Sequence, residues 1–213
     1  MAIANDGPGG FHRGRLGNVL YYTLNGKNVS RTIGVYKDRD TEKQRDARLR
    51  TKLCSNFFQH IHDFINVGYS VESPNAAYNP FNLAVTANKP NMFSGSYPNL
   101  EIEYDLLILS KGNLTPAQNP QVVETGTGLE FTWDTDKKMA FPMATDQVMV
   151  LAYFPKKKKA FYTLFGTDRL SGKASLQIPA SLRGQYMETY ISFSSADRTS
   201  IADSTYTGSF NKS

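Results

Sequence analysis

Among 213 residues there is a single cysteine, Cys54. That excludes an intrachain disulfide and any zinc site built on several thiolates. Long apolar runs are missing as well: nothing approaches the ~20 consecutive apolar residues that a helix needs to cross a bilayer. The opening MAIANDGPGG has neither a basic stretch nor an apolar one, so it does not read as a signal peptide. These absences point to synthesis in the cytoplasm, and a particle assembled inside a cell and released by lysis would carry the same signature. Catalytic motifs are absent too, with no G-x-S-x-G, no HExxH and no paired-carboxylate pattern. The glycines at positions 7, 9, 10, 14 and 17 do not make a phosphate loop, because no Lys-Ser/Thr follows them and no strand precedes. The expectation is a non-enzymatic protein that uses no cofactor and no metal.

What is present is the composition of a folded chain, 40% hydrophobic and 20% charged, long enough for one or two domains. Its charge is uneven. Residues 1–70 hold 11 Lys and Arg against 6 Asp and Glu, whereas residues 71–213 hold 13 of each. The whole excess of +5 therefore sits in the N-terminal third, where it marks a surface for an acidic partner.

The organising stretch is Gly17 to Tyr36, two strands about an Asn25-Gly26 turn. A two-residue turn puts Leu24 opposite Lys27, Tyr22 opposite Val29 and Leu20 opposite Arg31. Leu20, Tyr22 and Leu24 then share a face with Val29, Ile33 and Val35, and a one-residue slip would scatter them. Residues 1–16 are Gly-rich and aperiodic, which suggests an extended arm that docks on a neighbour or stays loose. Thr41 with Gln44 forms a capping-box pattern, and it opens one long helix ending near Gly68. Its stripe of Ala47, Cys54, Phe57, Phe58, Ile61, Phe64 and Ile65, edged by Leu53, is the expected cover for the hairpin. Ser73-Pro74 could open another helix, which Pro80 should kink or split. From Leu100 the period changes to two. Strands are expected at 100–109, 121–124, 129–134, 147–154, 160–165, 173–178, 185–194 and 204–210, a β-sandwich with Trp133 in its core.

Each reactive residue has a plainer reading. His60 and His62, two apart on a helix, point away from each other, whereas helical zinc pairs use a spacing of four. Cys54 on the apolar stripe reads as a small buried hydrophobe. The run Lys156, Lys157, Lys158 and Lys159 reads as a solvated hairpin tip, with a phosphate contact as the alternative. Arg31, Arg45 and Arg48 complete the basic surface, which reads as solvated charge partly paired within the helix, or as a face for nucleic acid.

Several blocks carry a resemblance: Gly14-Arg15-Leu16-Gly17-Asn18-Val19, the turn from Asn25 to Arg31, the helix start at Thr41, Gln44 and Arg48, Ser94 to Asn99, and Ile102 to Leu114. In this order they resemble a family of stand-alone bacterial proteins of unknown function from the Bacteroides–Flavobacterium group. The opening NDGPGG and the lysine tip depart from that pattern. The resemblance implies a hairpin–helix module followed by a fibronectin- or immunoglobulin-like sandwich, with no catalytic residues to carry over.

The fold expected is therefore α+β, with arm, hairpin and helices over residues 1–99 and an antiparallel sandwich over 100–213. The expected function is structural: a self-assembling component of a phage virion or related extracellular particle, partnered by its own copies and by other particle proteins. Val19, Tyr21, Phe11, Arg13 and Arg15 are the candidate interface. A nucleic-acid module using the basic third and a glycan- or protein-recognition module using the sandwich loops are the alternatives.

Overall fold

Asn25 and Gly26 turn the chain with φ of 49° and 74° in the computed structural model, the positive values that a two-residue hairpin turn of this kind requires. The structure describes residues 2–5, 10–35, 38–72 and 79–212, and the chain divides into two compact units at Thr41/Glu42. The division does not fall at residue 99, because the helices share a core with the sandwich.

The first unit is a four-stranded antiparallel meander of β1 (Ala2–Asn5), β2 (Phe11–Leu16), β3 (Val19–Leu24) and β4 (Lys27–Thr32). The β3–β4 register is the expected one: Leu24 opposite Lys27, Tyr22 opposite Val29, Leu20 opposite Arg31. The Ile33 N–H extends the ladder by donating to the Asn18 carbonyl at 2.7 Å. The expectation of an extended arm over residues 1–16, docked on a neighbour or loose, is corrected where the chain is described, residues 1 and 6–9 lying outside the described residues. Residues 2–5 and 11–16 are strands, and β2 pairs with β3 through Gly14–Tyr21, Arg15–Leu20 and Leu16–Val19. The hairpin is thus not isolated, since β3 is hydrogen-bonded on both sides.

The second unit begins with α1 (Glu42–Gln59), α2 (His62–Gly68) and α3 (Pro80–Asn88). The single long helix expected here breaks at residues 60–61. His60 Nδ1 lies 2.5 Å from the Asn56 carbonyl oxygen, the acceptor an unbroken helix would offer to the His60 N–H. The backbone tightens instead, with His60 and Ile61 donating to Phe57 and Phe58 three residues back. Pro80 does not kink a helix. It occupies the first turn of α3, where its missing N–H costs nothing, while Asn79 accepts from the Phe81 N–H. The expected start at Ser73-Pro74 lies outside the described residues.

After the short hairpin β5 (Phe93–Ser96) and β6 (Asn99–Ile102), the expected strand over 100–109 gives way to a one-turn 3-10 helix at Tyr104–Leu106. Seven strands follow: β7 (Gln121–Thr125), β8 (Gly128–Thr132), β9 (Gln147–Phe154), β10 (Lys159–Thr163), β11 (Lys173–Gln177), β12 (Met187–Ser194) and β13 (Thr205–Phe210). They form two sheets, in the orders β11-β8-β7 and β10-β9-β12-β13. Lettered A, B, C, C′, E, F, G in sequence, the sheets are E-B-A and C′-C-F-G, the fibronectin-like form of the immunoglobulin sandwich.

Strand β9 explains why the chain needs both helices and sandwich. Val148, Val150, Ala152 and Phe154 meet Leu129, Phe131 and Trp133 between the sheets. The alternate residues Met149, Leu151 and Tyr153, with Tyr190 of β12, meet Cys54, Phe57, Phe58, Ile61, Phe64 and Ile65 from the helices. The aromatic stripe therefore covers this sheet, where the sequence reading assigned it to the hairpin. Each fully buried large apolar side chain contributes about 1.5–3 kcal/mol, so the central sheet is held from both faces. Ala47, expected on the stripe, is exposed.

Candidate functional site

Side chains alternate across a strand, so the register of the N-terminal sheet decides which of its residues act together. Arg15, Leu20 and Arg31 stand in one row across β2, β3 and β4. Their face also carries Phe11, Arg13, Tyr22 and Lys27, and the Arg31 guanidinium lies 6.0 Å from the centre of the Tyr22 ring. The opposite face carries His12, Leu16, Val19, Tyr21 and Ser30, with the His12 and Tyr21 rings 5.3 Å apart. One face is thus cationic and aromatic. The other has no Lys, Arg, Asp or Glu among its described residues. The five residues expected to form one interface are split between them: Val19 and Tyr21 on the uncharged face, Phe11, Arg13 and Arg15 on the charged one. The alternation Phe11-x-Arg13-x-Arg15 held that signal, but reading the segment as an arm hid it.

Among the residues of this unit whose burial is described none is buried. Phe11 is 60% exposed on one face, Leu16 59% exposed on the other, and Leu24 at the turn is exposed as well. Within the unit no other element covers either face of the sheet, so it lacks the covered side that normally stabilises such a structure.

The residues expected to form a basic surface, Arg31, Arg45, Arg48, Lys156, Lys157, Lys158 and Lys159, sit on three elements: β4, α1 and the β9–β10 hairpin. Arg31 belongs to the N-terminal sheet, and the other six are scattered through the second unit. Arg45 and Arg48 are exposed on α1, and an open groove of about 430 Å³ runs past Arg48, Thr51 and Lys52. Lys156, Lys157 and Lys158 occupy the exposed β9–β10 turn, and Lys159 opens β10 opposite Phe154, which is the hairpin tip expected. The turn is closed by backbone. The Lys157 N–H donates to the Phe154 carbonyl at 3.1 Å, and Lys158 takes a φ of 51°. Lys157 is therefore a solvated lysine at a turn tip, far in sequence from the cations that the N-terminal sheet gathers.

On α1 the Asp46–Arg50 pair forms at 2.9 Å. His60, at the break after α1, sets its Nδ1 against the Asn56 carbonyl oxygen, and His62 Nδ1 lies 3.1 Å from Asn66 Nδ2. No cluster of three or more His, Cys, Asp or Glu suited to a metal occurs among the described residues. Burial pushes the Cys54 thiol up to about 11, with Lys89 opposing in part. It is a protonated core residue at neutral pH.

Two concavities of the second unit were not legible in the sequence. At one end of the sandwich a pocket of about 370 Å³ is lined by Leu114, Phe141, Met143 and Thr199, with Asp197 beside it. Hydrogen bonds from the Ser195 hydroxyl and from the Thr199 N–H and hydroxyl hold the Asp197 carboxyl down to about 2. A wider cleft of about 700 Å³ is bounded by Glu101, Glu103, Asp105, Tyr104 and Lys212. On its floor the buried Glu188 accepts from the hydroxyls of Tyr186 and, at 2.6 Å, Tyr206. Burial and the Glu188 charge hold both phenols above the ordinary tyrosine range. The arrangement fastens β12 to β13 and commits the carboxylate to two donors.

A family model described as a family of unknown function (DUF6266) matches residues 11–208. The chain belongs to that family. The DUF6266 match spans both compact units, so sheet, helices and sandwich fall under one family description. Against curated proteins and against solved structures the chain finds no significant match.

Proposed function

We propose that this DUF6266 protein is a non-enzymatic assembly component whose copies associate through the uncharged face of the N-terminal sheet. The observation that carries the reading is the lack of any buried side chain among the residues of that unit whose burial is described, whereas the second unit has two full cores. The choice of face follows from charge. Two cationic faces brought together would repel, whereas Leu16, Val19 and Tyr21 can meet their equivalents without that penalty. Three six-residue strands and the four-residue β1 give a face of at most about 20 Å by 19 Å, roughly 400 Å² or less. That is about half of the ~800 Å² per partner of a standard interface. Association of a single pair is therefore reversible, and it becomes durable where many copies meet, as in a phage virion or a related released particle. Bacterial origin in the Bacteroides–Flavobacterium group and cytoplasmic synthesis belong to the same proposal.

Sedimentation of the full chain over a wide concentration range tests it. The expected result is mass that rises with concentration and a shift toward monomer in Val19→Asp/Tyr21→Asp. A wild-type chain that stays monomeric at its highest soluble concentration, with the strand amides of residues 11–32 protected from exchange, ends the proposal.

A further inference from the structure

We infer that the opposite, cationic face of the N-terminal sheet is a platform for single-stranded nucleic acid. No Asp or Glu occurs from residue 10 to residue 35, so every Lys, Arg, Asp or Glu on β2, β3 and β4 is a cation. Arg15 and Arg31 flank Leu20 on its two neighbouring strands, about 10 Å apart at two strand spacings. Arg13 precedes Arg15 on the same side of β2, and Lys27 lies beyond Arg31 on β4. Two rings share the face with these four cations. Phe11 is 60% exposed and Tyr22 is half-buried beneath the Arg31 guanidinium.

Cations alone would attract any polyanion. The open Phe11 ring among them, with Tyr22 on the same face, selects a ligand with flat faces of its own, because bases stack on aromatic side chains. A duplex keeps its base faces stacked inside, and its major groove admits a helix or a two-stranded ribbon, not the face of a four-stranded sheet. An anionic bilayer offers charge without bases. The chemistry thus favours an unpaired strand whose phosphates reach the arginines and whose bases reach Phe11 and Tyr22. This inference does not depend on self-association, which uses the other face.

The test measures binding of the full chain to a labelled oligothymidylate of about 12 nucleotides, within the usual site size of such platforms. Neutralising four phosphates predicts a slope of about −2.8 for log K against log salt, a loss of about 50-fold between 50 and 200 mM. Arg13→Ser/Arg15→Ser/Arg31→Ser should abolish binding. Phe11→Ala removes an exposed ring that supports no core, and it should weaken binding at least about fivefold. Lys156→Ala/Lys157→Ala should leave binding unchanged. Four results would overturn the inference: absent or salt-independent binding, a Phe11→Ala variant that binds like the wild type, a duplex of equal length bound as tightly, or arginine-dependent capture by phosphatidylserine vesicles without capture of the oligonucleotide.

Discussion

Replacing Asp146 with alanine should destabilise the second unit more than any surface change. Asp146 and Arg169 are 1% and 3% exposed, and Arg169 Nε donates to Asp146 Oδ2 at 3.1 Å. Arg169 also donates through Nη2 to the Thr115 carbonyl at 2.7 Å, and its guanidinium lies 3.8 Å from the Phe193 ring centre. Burial raises the Asp146 carboxyl and lowers the Arg169 guanidinium, and each group offsets part of the other's shift. Without the carboxylate, a buried cation keeps one carbonyl and a ring as partners. Breaking such a pair from one side costs about 3–5 kcal/mol, a large share of the 5–15 kcal/mol that a domain commonly has.

Trp133 makes this measurable, because it is the one tryptophan and its Nε1–H donates to the Arg169 carbonyl at 2.7 Å. With a urea dependence of about 2 kcal/mol per molar, the fluorescence midpoint of Asp146→Ala should fall by about 1.5–2.5 M. The double variant Asp146→Leu/Arg169→Met replaces both charges with apolar groups of similar length, and it should return to wild-type stability or exceed it. A single-variant shift below about 0.5 M, or a double variant as weak as the single, would refute the account.

Gly128→Ala should cost about 2–3 kcal/mol or more in the same urea assay, because an added Cβ would sit 2.1 Å from the Leu176 carbonyl oxygen and 2.8 Å from the Ile178 nitrogen; Gly126→Ala, with nothing within 4 Å, should stay within about 0.5 kcal/mol. Alkaline unfolding should begin near pH 10. Burial raises Tyr69, Tyr104 and Tyr190 and pushes Tyr153 up to about 12, so above the unfolded value of 10 the unfolded chain holds fewer protons and each such tyrosine removes about 1.4 kcal/mol per pH unit; ellipticity unchanged to pH 12 would contradict this. Cys54 should react with a disulfide reagent at pH 8 only on unfolding, and rapid stoichiometric labelling of the folded chain would place it at the surface.

How much of this was legible in the sequence depended on whether a local rule decided the outcome. Asn25-Gly26 fixed turn and register together, since few residue pairs accept positive φ at both positions. Strand β9 could be read from Gln147 to Phe154 because a strand buried on both faces has no polar alternation to blur its ends. The helix break was not legible: it depends on where the His60 ring sits relative to the Asn56 carbonyl, which spacing does not encode. Nor was the destination of the aromatic stripe. Periodicity says that Phe57 and Ile61 need a cover, and both the hairpin and β9 offered an apolar face. In the N-terminal unit, Gly14 with φ of 112° lies inside β2, so glycines that read as looseness are part of a paired strand. Asp146, Glu188 and Arg169 gave no signal at all, because burial of a charge is decided by segments far apart in sequence.

The two faces of the N-terminal sheet are coupled by geometry if copies pair through Val19 and Tyr21. Pairing covers both uncharged faces and turns both cationic faces outward, so each pair presents two platforms. A short oligonucleotide fills one of them and gains nothing from the pair. A strand long enough to pass from one platform to the other meets the second at a high effective concentration, and its affinity rises by a factor that involves no new contact. Val19→Asp/Tyr21→Asp should therefore leave binding of a strand of about 12 nucleotides nearly unchanged and weaken binding of one several times longer by at least about tenfold. Titrations of both lengths at fixed salt separate the possibilities. Equal loss at both lengths would mean that the substitutions damage the sheet itself. No loss at either would mean that each platform works alone, and that whatever brings copies together does not set how they hold a strand.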